Sequence, residues 1–270
     1  MGLTIATNTA SINTQKWLGV NNKGLNAALE RLSSGFKINS ASDDAAGSGI
    51  SLRLNVKAVS VAKAIDNGNQ ATGMLSTAES GLTTISDILN RLKSLATQAA
   101  SDTVSNRDRV YLDNEATKLK TVIDNITANT KYGVTSVLST GATSFTFQLG
   151  DVKTNNQIVF TGTAITLGLT ALGLTTQASS EAFQLTVDTA IDTVNSAKSA
   201  VGSTMNQVSF QLDNLNSVYQ NTVSAVSTIK DADYVAEMAN FTKYQILNQA
   251  GISMLSQANQ LPQQILSLLK

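Results

Sequence analysis

The sequence predicts a mainly α fold: a rod of long, antiparallel, coiled-coil-like helices with a small β-hairpin element. Apolar residues recur in steps of four and three along three separate segments, the heptad spacing of helices that pack side by side. The 270 residues include a single proline, Pro262, so almost nothing interrupts a long helix. Aromatic residues make up only 5% of the chain, a share that suits extended helical packing.

The longest heptad pattern lies in the second half of the chain, from Val187 to Ile229. Eleven of its thirteen positions are apolar, whereas a chain that is 42% apolar would supply five or six by chance. Lys198 is one of the two exceptions and Thr222 is the other. Six unbroken heptads predict a coiled-coil-like helix rather than an ordinary globular one.

A matching stripe runs through the first half, from Ile50 through Leu54, Lys57 and Val61 to Ala99. A shorter one follows over 112–126, after a polar break at 101–109. Three heptad segments in one chain predict an intramolecular helical bundle. An enzyme or ligand-binding bundle would need a cluster of polar groups in the heptad core, and the few polar interruptions form no such set.

Local signals place the ends of these elements. Asp43 and Asp44 supply helix-capping oxygens before the first stripe, which explains this acid pair better than catalysis or metal binding. Gly133 is expected to close the helix over the third stripe in a left-handed conformation. Alternation of period two over 144–149 and 157–160 predicts a hairpin, whereas 163–174 stays ambiguous.

Both ends of the chain carry an amphipathic stripe that is less regular than the heptads. A helix of this kind must bury its apolar face, so the ends either pack on each other or contact neighbouring subunits. Periodicity leaves both possibilities open, and the expectation that these stripes make subunit contacts comes from a family resemblance that is densest at the two ends. Their residues are Leu18, Leu25, Leu29, Leu32 and Phe36 near the start, and Met238, Phe241, Leu247, Leu255 and Leu261 near the end.

The composition excludes several chemistries. The chain has no Cys and no His, which removes thiolate nucleophiles, imidazole bases and the common zinc ligands. Its 19 basic and 19 acidic residues balance, so charge gives no reason to expect nucleic acid or an anionic membrane as a partner. No apolar run is long enough to span a membrane. We therefore expect no enzymatic activity, no cofactor and no metal.

Two motifs at opposite ends of the chain carry a family resemblance. ERLSSG at 30–35 and INSASDDAAG at 38–47 resemble the N-terminal signature of bacterial flagellins. QILNQAG at 245–251, QANQLPQ at 257–263 and LSLLK at 266–270 are similar to the C-terminal end of the same family. The resemblance covers about 1–140 and 181–270 and implies a structural subunit of the flagellar filament.

The resemblance also implies an architecture and a set of partners. Residues 1–44 and 230–270 would form an inner, channel-lining terminal domain, and 45–229 a helical rod with a short β or loop insertion at 134–180. The chain would polymerise with itself into an extracellular filament used for swimming. It would be exported without a cleaved signal peptide by the flagellar type III apparatus, with a secretion chaperone, and would meet junction and cap proteins. The alternative is a hook–filament junction subunit or another axial flagellar protein, which lacks unlimited self-polymerisation.

A further implication concerns innate recognition. In many flagellins, a stretch of the first rod helix is read by the flagellin-sensing Toll-like receptor, and NRLKSLAT at 90–97 matches it. Arg91 and Leu95 occupy the positions of receptor-contacting residues, and Glu115 aligns with a third. Ser94 stands where these flagellins commonly carry Glu.

Overall fold

The computed structural model describes residues 7–138, 144–150, 156–161, 167–169 and 173–268, and over 261–268 it describes the backbone alone. Its helices are α1 (Thr9–Ser34), α2 (Ala45–Ala99), α3 (Asn106–Asn129), α4 (Gln177–Lys230) and α5 (Tyr234–Leu268). Its strands are β1 (Lys131–Tyr132), β2 (Thr135–Ser136), β3 (Ser144–Gln148) and β4 (Gln157–Thr161).

The chain divides into two compact units. The first combines the two ends of the sequence, Met1–Val56 and Asn221–Lys270, and contains α1, α5 and the adjoining turns of α2 and α4. The second, Lys57–Gln220, contains the rest of those two long helices together with α3 and the strands.

In the second unit, α2 and α4 run antiparallel. The Lys93 ammonium lies 2.5 Å from a carboxylate oxygen of Asp188, and the Gln184 amide donates to the Ala96 carbonyl. Far from these contacts along α2, Gly68 lies so close to α4 that an added Cβ would stand 2.6 Å from a methyl carbon of Leu212. As the residue numbers rise along α2, the numbers of the α4 residues in contact therefore fall, which is the antiparallel arrangement. One apolar core in this unit includes buried residues of α2, α3, α4 and β4.

The heptad prediction holds for α4 except at Tyr219, which is 39% exposed, and the buried face is wider than two rows of residues supply. Val187, Val194, Val201 and Val208 are all buried, as the pattern predicts. Between them Ala190, Ala197 and Thr204 are also buried, while Ile191, Lys198 and Met205 are half-buried. A helix that covers a bundle core presents a broader stripe than the seam of a two-stranded coiled coil.

On α2 the predicted stripe is wrong at its N-terminal end. Lys57 is exposed and Ile50 is 42% exposed, whereas Ala58 and Ser51 are buried. The buried positions take two successive steps of three, from Ala58 to Val61 and on to Ala64, and this shift turns the predicted residues outward. The stripe from Val61 to Ala99 stands as predicted.

The polar break between α2 and α3 is built around Arg109, which is only 6% exposed. Its guanidinium Nε donates to the Ala99 carbonyl at 2.7 Å and Nη2 donates to the Ser101 carbonyl at 2.9 Å. Nη1 donates to the side-chain oxygen of Asn106 at 2.7 Å. Arg109 thus satisfies the Ala99 carbonyl, which the end of α2 leaves without a helical partner, and gives the Ser101 carbonyl a second donor beside the Val104 amide. Its positive charge faces the negative end of the helix dipole.

Two hairpins lie between α3 and α4. The predicted one is confirmed: β3 and β4 are antiparallel, and the facing rings of Phe145 and Phe160 stack with centroids 6.3 Å apart. β1 and β2 form a second hairpin that the sequence did not predict. Gly133, at φ +62°, lies in the turn of this second hairpin and does not close α3. The residue that caps α3 is Thr130, three positions earlier, and its conformation is extended. Within 163–174, only 167–169 and 173–174 are described.

α1 and α5 pair with each other in the first unit, as the contacts below establish. The predicted fold class is therefore confirmed: a mainly α chain of long antiparallel helices, with a small hairpin and with its N- and C-terminal helices paired.

Replacing Arg109 by Met should lower the free energy of unfolding of the second unit. The apolar chain fills the space but leaves the Ala99 carbonyl without the Arg109 donor and the Ser101 carbonyl with the Val104 amide alone, which costs about 1–3 kcal/mol. Chemical denaturation measures the change. Arg107→Met, an exposed position in the same helical turn, is the control and should shift stability by less than about 0.5 kcal/mol. Equal stability of the two variants would contradict the capping role of Arg109.

Candidate assembly surface

The terminal helices α1 and α5 form an antiparallel pair. Arg31, late in α1, lies 3.7 Å from Glu237, early in α5. Midway, the Asn248 amide donates to the Asn22 side-chain oxygen at 2.5 Å. At the other end, the side chain of Asn8, which caps α1, donates to the Ala258 carbonyl at 2.8 Å.

The seam between these helices follows a heptad pattern but contains few large apolar side chains. Every third or fourth residue of each helix is buried or half-buried, which marks the face turned toward the partner helix. Polar and small residues fill about half of these positions. On α1 the positions are Ser11, Thr14, Leu18, Asn21, Leu25, Ala28 and Leu32, and on α5 they are Glu237, Phe241, Tyr244, Asn248, Gly251, Leu255 and Ala258.

Large apolar residues instead lie outside the seam, where they are exposed. On α5 they occupy both flanks of the seam positions, with Met238 and Ile252 on one flank and Leu247 and Met254 on the other. Ile246 lies on the face opposite the seam. A helix with apolar residues on all sides is normally buried, and exposed apolar patches of this kind mark interaction surfaces.

Nine of the ten residues predicted to make subunit contacts fall into two groups. Half-buried in the seam are Leu18, Leu25, Leu32, Phe241 and Leu255. Exposed outside it are Leu29, Phe36, Met238 and Leu247. The side chain of Leu261 lies outside the described part of the chain.

Sequence reasoning missed most of the outward set. The predicted stripe covers one face of each helix and leaves out the apolar residues on the other faces. The signal was present on α5, where 247, 254 and 261 are apolar residues spaced by seven. The missed residues are Ile12, Trp17, Val20, Ile246, Ile252 and Met254.

Short backbone contacts join the end of α1 to the segment before α5. Gly35, at φ +77°, closes α1 in the left-handed conformation that glycine adopts without strain. The Lys37 amide donates to the Lys230 carbonyl at 2.7 Å, and the Ala232 amide donates to the Gly35 carbonyl at 2.9 Å. The Lys230 ammonium lies 4.1 Å from the centroid of the Phe36 ring, within cation–π range. These contacts fix where both terminal helices begin to pair.

The acid pair before α2 has separate roles. Asp44 accepts from the Gly47 amide at 2.9 Å, so its predicted capping role is confirmed. Asp43 caps no helix; it accepts from the Ser40 and Asn39 amides at 2.9 and 3.1 Å. These bonds and one from the Ser40 hydroxyl lower the pKa of the Asp43 carboxyl below its ordinary value of 3.8. Asp43 therefore stabilises this turn above that pH, and the contribution is lost as the pH falls through the lowered value.

The described residues show few features of a metal site or a membrane-spanning segment. Among the described residues, no three Asp, Glu, His or Cys side chains come together in a way that could hold a metal ion. In the same part of the chain, no helix is both long and apolar enough to cross a membrane.

The three residues linked to receptor recognition lie in the second unit and differ in exposure. Arg91 and Glu115 form an ion pair between α2 and α3, with Nη2 2.7 Å from the carboxylate, and their side chains remain 54% and 42% exposed. Leu95 is 1% exposed and belongs to the apolar core. Its burial argues against a direct contact of the Leu95 side chain with a receptor.

Together these features define a structural protein of long paired helices, whose terminal pair leaves apolar side chains uncovered on several sides. Comparison with known families agrees. Residues 5–143 match the bacterial flagellin N-terminal helical region, and residues 185–269 match the bacterial flagellin C-terminal helical region. The chain belongs to the bacterial flagellin family.

Its relatives align over nearly the whole chain. A flagellin of Listeria monocytogenes is 35% identical over 98% of this chain and 99% of its own length. A flagellar filament 33 kDa core protein of Treponema phagedenis is 32% identical over 97% of this chain and 98% of its own. The crystal structure of Bacillus cereus flagellin is 31% identical, covers 56% of this chain and 88% of its own, and superposes with a TM-score of 0.49.

Membership of this family makes the chain a structural protein of the bacterial flagellar filament. The family match spans both helical ends, and its relatives are flagellins and filament core proteins. The assignment therefore favours a filament subunit over a hook–filament junction protein or another axial flagellar protein.

Proposed function

We propose that α1 and α5 carry the subunit contacts of the filament, through the apolar side chains that lie outside their common seam. The observation that supports this most strongly is the position of these side chains on α5, on both flanks of the seam and on the face opposite it. A single flat partner covers only one side of a helix pair. Covering Met238, Ile246 and Met254 together therefore requires more than one neighbouring copy.

The energetics agree with a polymer. Covering one large apolar side chain contributes about 1.5–3 kcal/mol, so several such residues on each copy offset the entropy lost on association. Contacts between different surfaces of identical subunits do not close into a dimer; they continue as a ring or a helical assembly. A net charge of zero leaves little long-range repulsion between copies.

The two ends of the chain are proposed to form the inner, channel-lining domain over 1–44 and 230–270, with 45–229 forming the outer rod. The first compact unit supports this proposal because it combines both chain ends. Its limits, Val56 and Asn221, fall inside α2 and α4.

Family membership also supports a route and a set of partners. We place the assembled chain outside the cell, after export through the flagellar type III apparatus with a secretion chaperone and without a cleaved signal peptide. In the filament it would meet junction proteins at one end and a cap at the other. No enzymatic activity, cofactor, nucleic acid or membrane has a part in this proposal.

Receptor recognition is proposed at Arg91 and Glu115. Both side chains are accessible on the second unit, and their ion pair holds the guanidinium in one orientation through two hydrogen bonds to the same carboxylate oxygen. Preorganised arginines of this kind often dominate protein interfaces.

Replacing Ile252 by Ser should weaken polymerisation. Ile252 is 59% exposed and lies outside the seam, so the change leaves the α1–α5 contacts in place while removing apolar area that neighbours would cover. The loss corresponds to a rise of about tenfold in the critical concentration for growth from filament seeds. Sedimentation of filaments at a series of protein concentrations measures it.

The matched control is Leu185→Ser, which removes an apolar side chain that is 71% exposed, somewhat more than Ile252, from the second unit. It should leave the critical concentration within about twofold of the unchanged chain. If Leu185→Ser impairs growth and Ile252→Ser does not, the contacts do not lie on the terminal helices.

Replacing Arg91 by Ala should weaken binding to the purified ectodomain of the flagellin-sensing Toll-like receptor by about tenfold or more. Thermal unfolding should hardly change, because an exposed ion pair contributes little to stability. Surface plasmon resonance measures the affinity. Lys63→Ala, which breaks another exposed ion pair on α2, is the control. Equal affinities of the two variants would contradict the proposed contact.

A further inference from the structure

A cavity of about 330 Å³ opens on the surface of the first unit, where the turn after α1 meets the beginning of α2 and the end of α4. Phe36, Leu52 and Val226 form apolar parts of its wall. Leu52 is 65% exposed and Phe36 is 37% exposed, so this apolar surface stays in contact with water in a single chain. Pockets of this size hold small organic groups, and exposed apolar surface around one marks an interaction site.

The polar part of the cavity wall favours an aromatic occupant with a hydrogen-bond donor. Lys230 lines the cavity, and its ammonium lies 4.1 Å from the centroid of the Phe36 ring. An ammonium placed against one ring can also interact with the face of a second ring, and Trp is the best partner for such a contact. Asn39 and Asn55 line the wall as well, and their side-chain oxygens can accept a hydrogen bond from an indole N–H.

The chain contains one indole, that of Trp17, and its side chain points outward from α1 with 62% of its surface exposed. Val20, one turn later on the same face of the helix, is 46% exposed, so the indole belongs to a wider apolar surface. Trp is also among the residue types that dominate the binding energy of protein interfaces. Trp17 therefore supplies both the ring and the N–H donor that the cavity wall favours.

Trp17 is too far along α1 to enter the cavity of its own chain. It precedes the end of this helix at Ser34 by 17 residues, which is about 25 Å along a straight helix. Phe36, in the cavity wall, lies two residues beyond that end. An indole side chain reaches much less far than this separation. A Trp17 ring in the cavity therefore comes from a second copy of the chain.

We propose that the cavity lined by Phe36, Leu52 and Lys230 holds the Trp17 ring of a neighbouring copy in the filament. This inference rests on the proposed assembly through the terminal helices and deepens it, because it names the partner of one outward side chain. The ring and the cavity are different surfaces of one subunit. A copy that inserts its ring into one neighbour can therefore receive the ring of another, and such contacts continue along a polymer.

Cross-linking between copies in the filament tests this contact directly. Since the chain has no Cys, single thiols can be introduced without background. Filaments are grown from seeds in a mixture of Trp17→Cys copies and Leu52→Cys copies, with an excess of the unchanged chain so that most contacts in each filament are intact. A short thiol-reactive cross-linker is then added. Mass spectrometry measures the yield of dimers that join position 17 of one copy to position 52 of another.

The yield of the 17–52 dimer should exceed that of two control dimers by about tenfold, because the contact holds both positions at a high effective concentration. In the first control, Tyr234→Cys replaces Trp17→Cys; Tyr234 is another aromatic residue of the first unit and is 61% exposed. In the second, Leu185→Cys replaces Leu52→Cys; Leu185 is 71% exposed and lies in the second unit. Without seeds, the 17–52 yield should fall to the control level.

Three results in verified filaments would overturn the contact: a 17–52 yield no higher than the controls, a higher yield with Tyr234→Cys than with Trp17→Cys, or dimers that mainly join position 17 to position 17. None of them would refute assembly through the terminal helices, since the filaments would still have formed. Growth of filaments by a chain lacking residues 235–270 would instead refute that assembly, whatever side chain the cavity holds.

Discussion

The terminal helices leave large apolar side chains exposed outside their common seam, and the rest of the account depends on this exposure. Their seam contains serine, threonine, asparagine, glycine and alanine at many of the positions where a stable two-helix pair would carry leucine. Trp17, Ile246, Ile252 and Met254 lie outside it. Apolar side chains held on both flanks of a helix pair lower the free energy only when further helices surround the pair. The pair is thus incomplete as an isolated element.

The second unit is built around a large apolar core, although it too exposes some large apolar side chains, such as Phe210 and Leu185. Large apolar residues of α2 are buried and pack in one core with α3 and α4; among them are Leu75, Ile85, Leu89 and Leu92. Polar groups at its ends are satisfied within the chain, as Arg109 does for the Ala99 carbonyl of α2. The second unit thus has a core of its own, and the proposed assembly surface lies on the first. That division is what a subunit requires if it must stay folded before assembly and join a polymer through its ends.

The sequence predicted the parts of this fold that depend on local periodicity. Heptad spacing indicated the long helices, and period-two alternation indicated the β3–β4 hairpin, because both patterns record which faces are buried. It did not locate the shift at Ala58, because Ile50 and Leu54 fit the continued heptad and made Lys57 look like a single polar interruption. The role of Arg109 depends on where the end of α2 lies in space. Leu95 stood beside the main stripe and is buried because α2 contributes to a core shared with two other helices.

For the assembly surface, the limit was of a different kind. Periodicity marked the terminal stripes, but Leu18 and Leu255 in the seam look the same in sequence as Leu29 and Leu247 outside it. Which apolar row meets the partner helix is seen only in the contacts across the pair, such as that of Tyr244 on Gly24. The family motifs identified the filament subunit but not the row of residues that meets the partner helix, because a motif does not tell which residue each side chain contacts.

The most direct test of the central claim uses the single tryptophan of the chain, Trp17, whose side chain is 62% exposed. Its emission spectrum and its quenching by acrylamide are measured before and after growth from seeds, with filaments verified by electron microscopy. Covering of the outward face by neighbouring copies predicts a blue-shifted emission and a marked loss of quenching in the filament. Unchanged emission and unchanged quenching in verified filaments would contradict the account, because the α1 face that carries Trp17 would then remain in water after assembly.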